Sequence, residues 1–382
     1  MALAALASGW SQPGFAQAAS KIKVGLMLPY SGNFAAAGEA TTNGFKLAMA
    51  ETNGKLGGRE VEFYTVDDES NPAKSAENIS KLIKRDQVDV VVGTIHSGVT
   101  LVMAKIARDT NTLLLIPNAG ADELTGPLCA PNVFRMSATN WQPSFAMGKV
   151  MAERGHRKVV TLTWKYAAGE ESVAGFKEAF EKSGGKVEKE LYMPFPNVEF
   201  YPYLTEIARI KPDAVFVFFA GGGGAKFLND YNASGLKATV PLYGSGFLTE
   251  GNLESQGAAA QGVHTALHYT DGLTTARDVA FRKAYRAAYG KDPDVYALQG
   301  YDTGLALRNG VEAVKGDLKQ RAVLVNAMNS ATVDSPRGPF KFSTAHNPTQ
   351  DIYLRVVEGK INKVAGIAAK GLADPARGCK LK

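Results

Sequence analysis

Small polar residues with free backbone N–H groups lie where an apolar strand passes into a helix. The segment reads Gly-Thr-Ile-His-Ser-Gly-Val-Thr over residues 93–100, between the apolar run Val88–Val92 and a helical pattern that begins near Val99. The first N–H groups of a helix lack intrahelical partners and carry the positive end of its dipole, so they hold an anion without lysine or arginine. The pattern predicts a site for a small carboxylate.

Other chemistry fits these residues less well. Ser97 beside His96 could be a nucleophile and its base, but adjacent residues leaving a strand point in different directions, and no Gly-x-Ser-x-Gly elbow surrounds the serine. The glycines at 221–224 lack the Gly-Lys-Ser/Thr ending of a phosphate loop, which argues against a nucleotide cofactor. The sequence thus predicts a binding protein without enzymatic activity or cofactor; turnover of an aromatic ester or acid would revive the enzyme alternative.

The two cysteines, Cys129 and Cys379, predict one disulfide if the compartment is oxidising, tying the C-terminal tail to the loop before Val133. Two free thiols are the alternative. No metal site is expected, because the five histidines form no ligand-spaced cluster with either cysteine.

Composition describes an ordinary globular chain. Its 382 residues suit two domains, with 45% apolar and 21% charged residues and no apolar run long enough for a membrane span. The 43 Lys and Arg residues are scattered among 37 acidic residues, for a net charge of +6, so nucleic acid is not an expected partner.

Residues 1–18 are Ala-rich, uncharged and end in Ala-Gln-Ala. This pattern predicts a truncated export signal and a monomer in the periplasm; a disordered tail or cloning remnant is the alternative.

Strand and helix patterns alternate along the chain, which is typical of a doubly wound α/β fold with right-handed crossovers. The predicted strands are Lys21–Leu28, Val61–Val66, Val88–Val92, Leu113–Ile116, Lys158–Thr163, Gly185–Met193, Ala214–Phe219, Val240–Tyr243 and Ile352–Val357. The predicted helices are Gly44–Asn53, 71–85, Glu170–Lys182, Tyr203–Arg209 and Gly224–Asn232, with helices dominating from Ala276 to about Met328.

The order and spacing of several motifs resemble the branched-chain amino acid (leucine/isoleucine/valine) binding proteins of ABC importers. The resemblance covers residues 21–365 and rests on the segments 21–32, Gly44–Asn53, 66–68, 92–98, 116–119, 133–135 and 300–302. It implies a type I periplasmic binding fold, in which two lobes joined by three crossings, near Ala138, Thr265 and Ser343, close on a ligand. The implied lobes are 20–138 with 266–343 and 139–265 with 344–370, followed by a tail at 371–382.

The resemblance also implies binding positions. The ligand carboxylate is expected at Ser97 and the Gly98 N–H, with backbone contacts from the loop after Ile116 and further contacts from the turns of the second lobe. The expected ligand-binding residues are Tyr30, Phe34, Ile95, His96, Ser97, Gly98, Ala119, Gly120, Trp164, Tyr166, Gly221, Gly222, Phe247 and Tyr301. Each of three residues has an alternative role. Ser97 would only cap a helix, His96 would point into the first lobe, and Tyr301 would pack between helices.

One departure from the family bears on the ligand. Amino acid binders place a carboxylate in the turn represented here by Gly244–Phe247, because a buried ammonium needs an opposite charge. This chain has Gly246 and Phe247 there, while aromatic residues gather in other turns, as Trp164 and Tyr166 do. We therefore expect an aromatic or hydrophobic carboxylate of the benzoate, phenylpropenoate or aryl keto acid type, delivered to a membrane permease.

Two other functions remain open. A branched-chain amino acid binder would need an ammonium partner from elsewhere, for instance Glu170 or Asp302. A periplasmic sensory subunit would bind the same ligand and dock to a kinase or chemoreceptor.

Overall fold

The computed structural model describes residues 20–381, so the predicted export segment at 1–18 lies outside the described residues. The strands are β1 (Ile22–Leu28), β2 (Lys55–Leu56), β3 (Arg59–Asp67), β4 (Val90–Val92), β5 (Leu113–Ile116), β6 (Val133–Arg135), β7 (Lys158–Lys165), β8 (Lys186–Pro194), β9 (Ala214–Phe218), β10 (Leu242–Ser245), β11 (His264–Leu267), β12 (Lys341–Phe342), β13 (Pro348–Glu358) and β14 (Ile361–Leu372). The helices are α1 (Ala35–Ala50), α2 (Pro72–Ser80), α3 (Ser97–Thr110), α4 (Trp141–Glu153), α5 (Ala167–Lys182), α6 (Tyr201–Ile210), α7 (Gly221–Ala233), α8 (Leu253–Ala260), α9 (Ala276–Tyr289), α10 (Val295–Ala313) and α11 (Arg321–Ser330).

Two separate sheets form the cores of two lobes. The first lobe holds the order β2-β3-β1-β4-β5-β6, and the second holds β12-β13-β11-β10-β9-β7-β8 with β14 paired to β13. The central strands of both sheets run parallel, and β4 and β5 are buried along their whole length. Apolar runs of this kind are typical of parallel strands covered by helices on both faces. The predicted two-lobed, doubly wound α/β architecture is confirmed.

Helices from the late part of the chain complete the first lobe. Helix α10 lies against α1 so closely that a Cβ on Gly44 would be 1.8 Å from the Ala297 carbonyl oxygen, and one on Gly300 would be 1.9 Å from that of Thr41. Only glycine permits this approach. The contact fixes the start of α10 beside the boundary between the lobes.

The chain crosses between lobes after β6, after β11 and ahead of β12. The predicted boundary at 343/344 is corrected, because Lys341 and Phe342 already pair with β13 in the second sheet. The boundary at 265/266 likewise falls inside β11, whose residues 264–267 pair with β13. Pairing in the second sheet thus begins before the implied boundary at 343/344 and continues past the implied boundary at 265/266.

Helix α1 and the β13–β14 hairpin are longer than the sequence patterns predicted. Helix α1 begins at Ala35, not Gly44, because a run of small residues lets its first turns pack tightly; a Cβ on Gly38 would lie 1.8 Å from the Pro29 carbonyl oxygen. The predicted last strand, Ile352–Val357, is the middle of β13, and β14 follows it for 12 residues, ending inside the predicted tail. Pairing across the hairpin stabilises segments that carry little apolar alternation of their own.

Candidate functional site

A narrow cavity lies between the two lobes. Residues of both lobes line it, at or just beyond the carboxyl ends of strands β4, β5, β7, β9 and β10 and at the start of α10. This crevice outside the strand ends is where open α/β sheets bind ligands. Its lining residues are Phe34, Ile95, Ser97, Asn118, Gly120, Asn140, Tyr166, Ala168, Phe218, Ala220, Phe247 and Tyr296.

Several helices begin at this cavity. The lining residues include the first residue of α3, the residues that precede α4, α5 and α7, and the second residue of α10. Each helix directs the positive end of its dipole and its first N–H groups toward the cavity. The cavity is therefore electropositive although no lysine or arginine lines it.

Unpaired backbone donors face each other from the two lobes. The N–H groups of Ser97 and Gly98 on α3, and those of Ala167 and Ala168 on α5, have no hydrogen-bond partner among residues 20–381. The next donor on α3 is already used, because the Val99 N–H donates to His96 Nδ1 at 3.3 Å. An anion held between these helix ends would satisfy donors from both lobes at once.

The Ser97 hydroxyl group is free to donate a hydrogen bond. Asn140 Nδ2 donates to Ser97 Oγ at 3.3 Å and to Glu171 Oε2 at 2.6 Å, so the serine oxygen accepts and its own proton remains free. Asn140 also packs against Gly120, where a Cβ would lie 2.4 Å from Asn140 Oδ1. The polar end of the cavity thus consists of Ser97, Gly120 and Asn140.

Aromatic rings form the rest of the wall. Phe247 stacks on Tyr296 with ring centroids 5.9 Å apart and meets Phe218 edge-on at 6.5 Å. On the other side, Phe34 of the first lobe stacks on Phe195 of the second at 5.7 Å. Flat apolar walls of this kind favour a ring-containing ligand.

Two tyrosine hydroxyls lie in this otherwise apolar wall. The Tyr296 hydroxyl is buried and has no hydrogen-bond partner, and burial raises the pKa of Tyr296 well above its usual value. Burial also raises the pKa of Tyr166, and the nearby Glu171 adds to the effect. Both phenols therefore stay protonated and available as donors at neutral pH.

No residue lining the cavity carries a formal charge. The acid closest to the turn at residues 244–247 is Glu250, and its carboxylate forms a buried ion pair with Arg355. The predicted alternatives are also unsuitable: Glu170 is exposed, and Asp302 pairs with Arg337 at 3.3 Å and accepts from Ser335 at 2.9 Å. An ammonium group in this cavity would meet no carboxylate among its lining residues.

The structure brings six of the predicted site residues to the cavity. They are Phe34, Ile95, Ser97, Gly120, Tyr166 and Phe247. Strand-to-helix turns hold most of these residues, which is why the local sequence signal found them.

His96 does not line the cavity. Its ring stacks on Tyr166 with centroids 4.7 Å apart and lies 5.0 Å from that of Phe195, so it packs behind the cavity wall at the lobe boundary. Its Nδ1 accepts from the Val99 N–H, and burial lowers the pKa of His96 to about 4. The expectation that His96 binds the ligand is corrected: the imidazole is a neutral helix cap.

The two predicted outlying tyrosines also lie elsewhere. The Tyr30 hydroxyl shares a 2.8 Å hydrogen bond with Thr42 Oγ1, and burial raises the pKa of Tyr30 to about 12. Tyr301 contacts Glu51 through its hydroxyl and accepts from Arg277 Nη2 at 2.8 Å. Both tyrosines pack against helices of the first lobe, so neither belongs to the cavity wall.

The remaining predicted residues support the wall from behind. Trp164 is fully buried, donates from Nε1 to the Asn197 carbonyl oxygen at 2.8 Å and packs edge-on against Phe34. The Ala119 N–H is not free, because it donates to the Thr94 carbonyl oxygen at 3.0 Å. Gly98 presents its α-carbon to His96 and Pro72 and can contribute only its N–H.

Gly221 and Gly222 lie against the other lobe instead of the cavity. A Cβ on Gly221 would be 2.3 Å from the Asn33 carbonyl oxygen, and Gly221 has a φ of +59°, so glycine is needed for both space and conformation. Gly221 and Gly222 were expected to bind the ligand, but their absent side chains allow a close approach between the two lobes.

Sequence reasoning missed half of the wall: Asn118, Asn140, Ala168, Phe218, Ala220 and Tyr296. Asn118 and Phe218 lie at or just after the ends of predicted strands, so their position in the sequence could have identified them as site residues. Tyr296 follows the Asp294 cap of α10, but nothing local indicated that this helix starts at the cleft.

The described chain contains other features relevant to function. A disulfide joins Cys129 of the first lobe to Cys379 of the tail, with Cα atoms 5.5 Å apart. Among residues 20–381, no group of three His, Cys, Asp or Glu side chains is placed to hold a metal ion. No helix in the same range is long and apolar enough to cross a membrane.

Comparison with known proteins gives a consistent result. The profile of the family described as "Periplasmic binding protein" matches residues 21–362. A Leu/Ile/Val-binding protein homolog 6 from Brucella abortus is 30% identical, over 94% of this chain and 92% of the relative.

Solved structures are also similar. A solute-binding protein of an R. palustris ABC transporter, in complex with benzoate, is 50% identical with a TM-score of 0.93, covering 95% of this chain and 100% of that one. A second, from Rhodopseudomonas palustris BisB5 in complex with 3,4-dihydroxybenzoic acid, is 31% identical with a TM-score of 0.88, covering 93% and 99%. The family profile spans almost all of the described residues, and the chain belongs to the periplasmic binding protein family of ABC transporter solute-binding proteins.

Proposed function

We propose that this protein captures a small aromatic carboxylate of the benzoate or hydroxybenzoate type in the cleft and delivers it to the permease of an ABC importer. The observation that carries the proposal is the cavity itself, which combines helix N-termini with aromatic walls and has no charged side chain in its lining. The solute-binding proteins that share this fold, in complex with benzoate and dihydroxybenzoate, support the same ligand class.

The ligand carboxylate is expected at the unpaired N–H groups of Ser97 and Gly98 and at the Ser97 hydroxyl, with Ala168 opposite. Each such hydrogen bond to a charged group contributes on the order of 1.5 to 3 kcal/mol. The ring then lies between Phe34 and the Phe247–Tyr296 stack, where its burial contributes about 2 to 3 kcal/mol.

Capture proceeds by closure of the lobes. The ligand contacts residues of both lobes, so only the closed arrangement gains the full interaction energy, and binding shifts the population toward it. The closed surface is then what a membrane permease recognises. Location in the periplasm and transport as the outcome follow from family membership and are part of this proposal.

A ligand panel tests the proposal. Calorimetric titration with benzoate, 4-hydroxybenzoate, 3,4-dihydroxybenzoate and coumarate is expected to give saturable binding to one or more of them, and leucine none. Leucine binding with higher affinity than any of these acids would overturn the assignment and favour the branched-chain amino acid alternative.

A further inference from the structure

Glu171 is an acid just behind the polar end of the cavity, and it does not line the cavity itself. It lies on α5 of the second lobe and is half-buried. Its Oε2 accepts from Asn140 Nδ2 at 2.6 Å and from the Asp122 backbone N–H of the first lobe at 3.1 Å. The carboxyl group therefore bridges the two lobes.

The same Asn140 amide reaches the ligand site. Its Nδ2 also donates to Ser97 Oγ at 3.3 Å, so Glu171 lies two hydrogen bonds away from the hydroxyl expected to meet the ligand carboxylate. Two negative charges so close in a cleft sheltered from water repel strongly, because the effective dielectric constant there is far below that of bulk water.

We propose that Glu171 is a positioning residue whose carboxyl group must hold a proton for the closed cleft to accept an anionic ligand. The inference rests on the proposed function, since it concerns the charge of the same guest. Where Glu171 is ionised in the free protein, binding takes up a proton from solvent, and the neutral carboxyl keeps Asn140 in place without opposing the ligand.

Burial and the charge of Asp122 favour the protonated form of Glu171, whereas Arg135 and the hydrogen bonds from Asn140 and the Asp122 N–H oppose it. Asp122 of the first lobe faces Glu171, and the charge of Asp122 is opposed by the buried Arg135. Asp374 of the tail lies beside Asp122 and Arg135. The other neighbours are Tyr166, which precedes α5, and Ser97 and Asn140 at the starts of α3 and α4. Burial and the charge of Asp122 raise the pKa of Glu171 to about 8, and the pKa of Asp122 is raised to about 6 by burial. Of the two carboxyl groups, Glu171 therefore holds its proton to the higher pH.

The sign of the pH dependence follows. Below about pH 8 the free protein already carries the proton, so affinity for benzoate is flat; above it, affinity falls by up to about tenfold for each pH unit. Benzoate is the right probe because it has no phenol group to titrate, and its carboxyl group is ionised throughout this range, as carboxylic acids titrate near pH 4.

The test is calorimetry with benzoate from pH 6.5 to 9.5, repeated at pH 8.5 in buffers of different ionisation enthalpy. Wild type is expected to take up a proton at pH 8.5 and to lose affinity above it. Glu171→Gln keeps the acceptor for Asn140, so it is expected to bind within about threefold of wild type at pH 7, without proton uptake and without loss at high pH. Glu170→Gln, on the exposed neighbour, is the matched control and should behave as wild type.

Asp122→Asn gives a second, independent readout if the Gln variant folds poorly. It removes the charge that raises the Glu171 pKa, so the pH at which affinity starts to fall should move down. A wild type whose benzoate affinity is flat to pH 9.5, or a Glu171→Gln protein that keeps the full pH dependence, would overturn the inference. Absence of binding by any of the aromatic acids at every pH would instead refute the proposed function.

Discussion

Asn33 of the first lobe holds the start of α7 in the second lobe through a pair of hydrogen bonds. Its Oδ1 accepts from the Gly223 N–H at 2.7 Å, and its Nδ2 donates to the Ala220 carbonyl oxygen at 3.2 Å. The glycines at 221–223 leave room for this side chain, and Ala220 itself lines the cavity. The amide thus stabilises closure at the rim of the site.

Asn33→Ala is expected to weaken ligand binding by about 1 to 2 kcal/mol, because both hydrogen bonds exist only in the closed arrangement. The loss should appear as faster ligand release in stopped-flow experiments. The unfolding midpoint of the ligand-free protein should change little, since Asn33 is partly exposed. An unchanged release rate would show that this contact does not contribute to closure.

Ser97→Ala is expected to weaken binding of benzoate by about 1 to 3 kcal/mol, since the hydroxyl accepts from Asn140 and has its proton free for the ligand. Calorimetric titration measures the change. Thr110→Ala, at the opposite end of α3, is the control and should bind normally. Equal affinity of the Ser97 variant and wild type would mean that the serine only begins the helix.

Tyr296→Phe tests the selection of ring substituents. The buried Tyr296 hydroxyl has no partner in the structure, so a hydroxyl on the ligand ring would satisfy it. The variant is expected to lose about 1 kcal/mol of affinity for 4-hydroxybenzoate and to bind benzoate at least as well as wild type. Calorimetric titrations of both proteins with both acids measure these changes. An equal loss of affinity for the two acids would contradict this role of Tyr296.

Replacing both Cys129 and Cys379 by serine tests the attachment of the tail. The tail follows β14 of the second lobe and is fixed to the first by the disulfide and by a 2.6 Å hydrogen bond from Thr125 Oγ1 to Asp374. Loss of the covalent link, which closes a loop of 250 residues, is expected to lower the free energy of unfolding by about 2 to 5 kcal/mol. Chemical denaturation measures this difference, and Thr125→Val alone should lower it far less. An unaltered midpoint in the serine variant would disprove the stabilising role.

The sequence predicted the parts of the site that depend on local chemistry. Ser97 begins a helix and Tyr166 precedes one, each shortly after a strand, and this order alone places N–H groups and side chains at the carboxyl edge of a sheet. Alternation of strands and helices predicted the doubly wound lobes for the same reason, because local patterning decides element type. The lack of an acid in the turn at 244–247 was also visible in the residues, and it argues against a ligand with an ammonium group.

Tertiary structure decided which residues from distant segments meet. Tyr296 and Tyr301 lie on one helix, but five residues correspond to a rotation of about 140°, so packing of α10 on α1 turns Tyr296 to the cleft and Tyr301 to Glu51. Likewise, only the packing of the two lobes places Glu171 against Asp122, and only the folded tail brings Cys379 to Cys129. The sequence by itself determined the helix ends, the aromatic residues and the missing counter-charge, because these are properties of neighbouring residues. Which helix faces, lobes and carboxyl groups come together depends on long-range packing, which neighbouring residues do not encode.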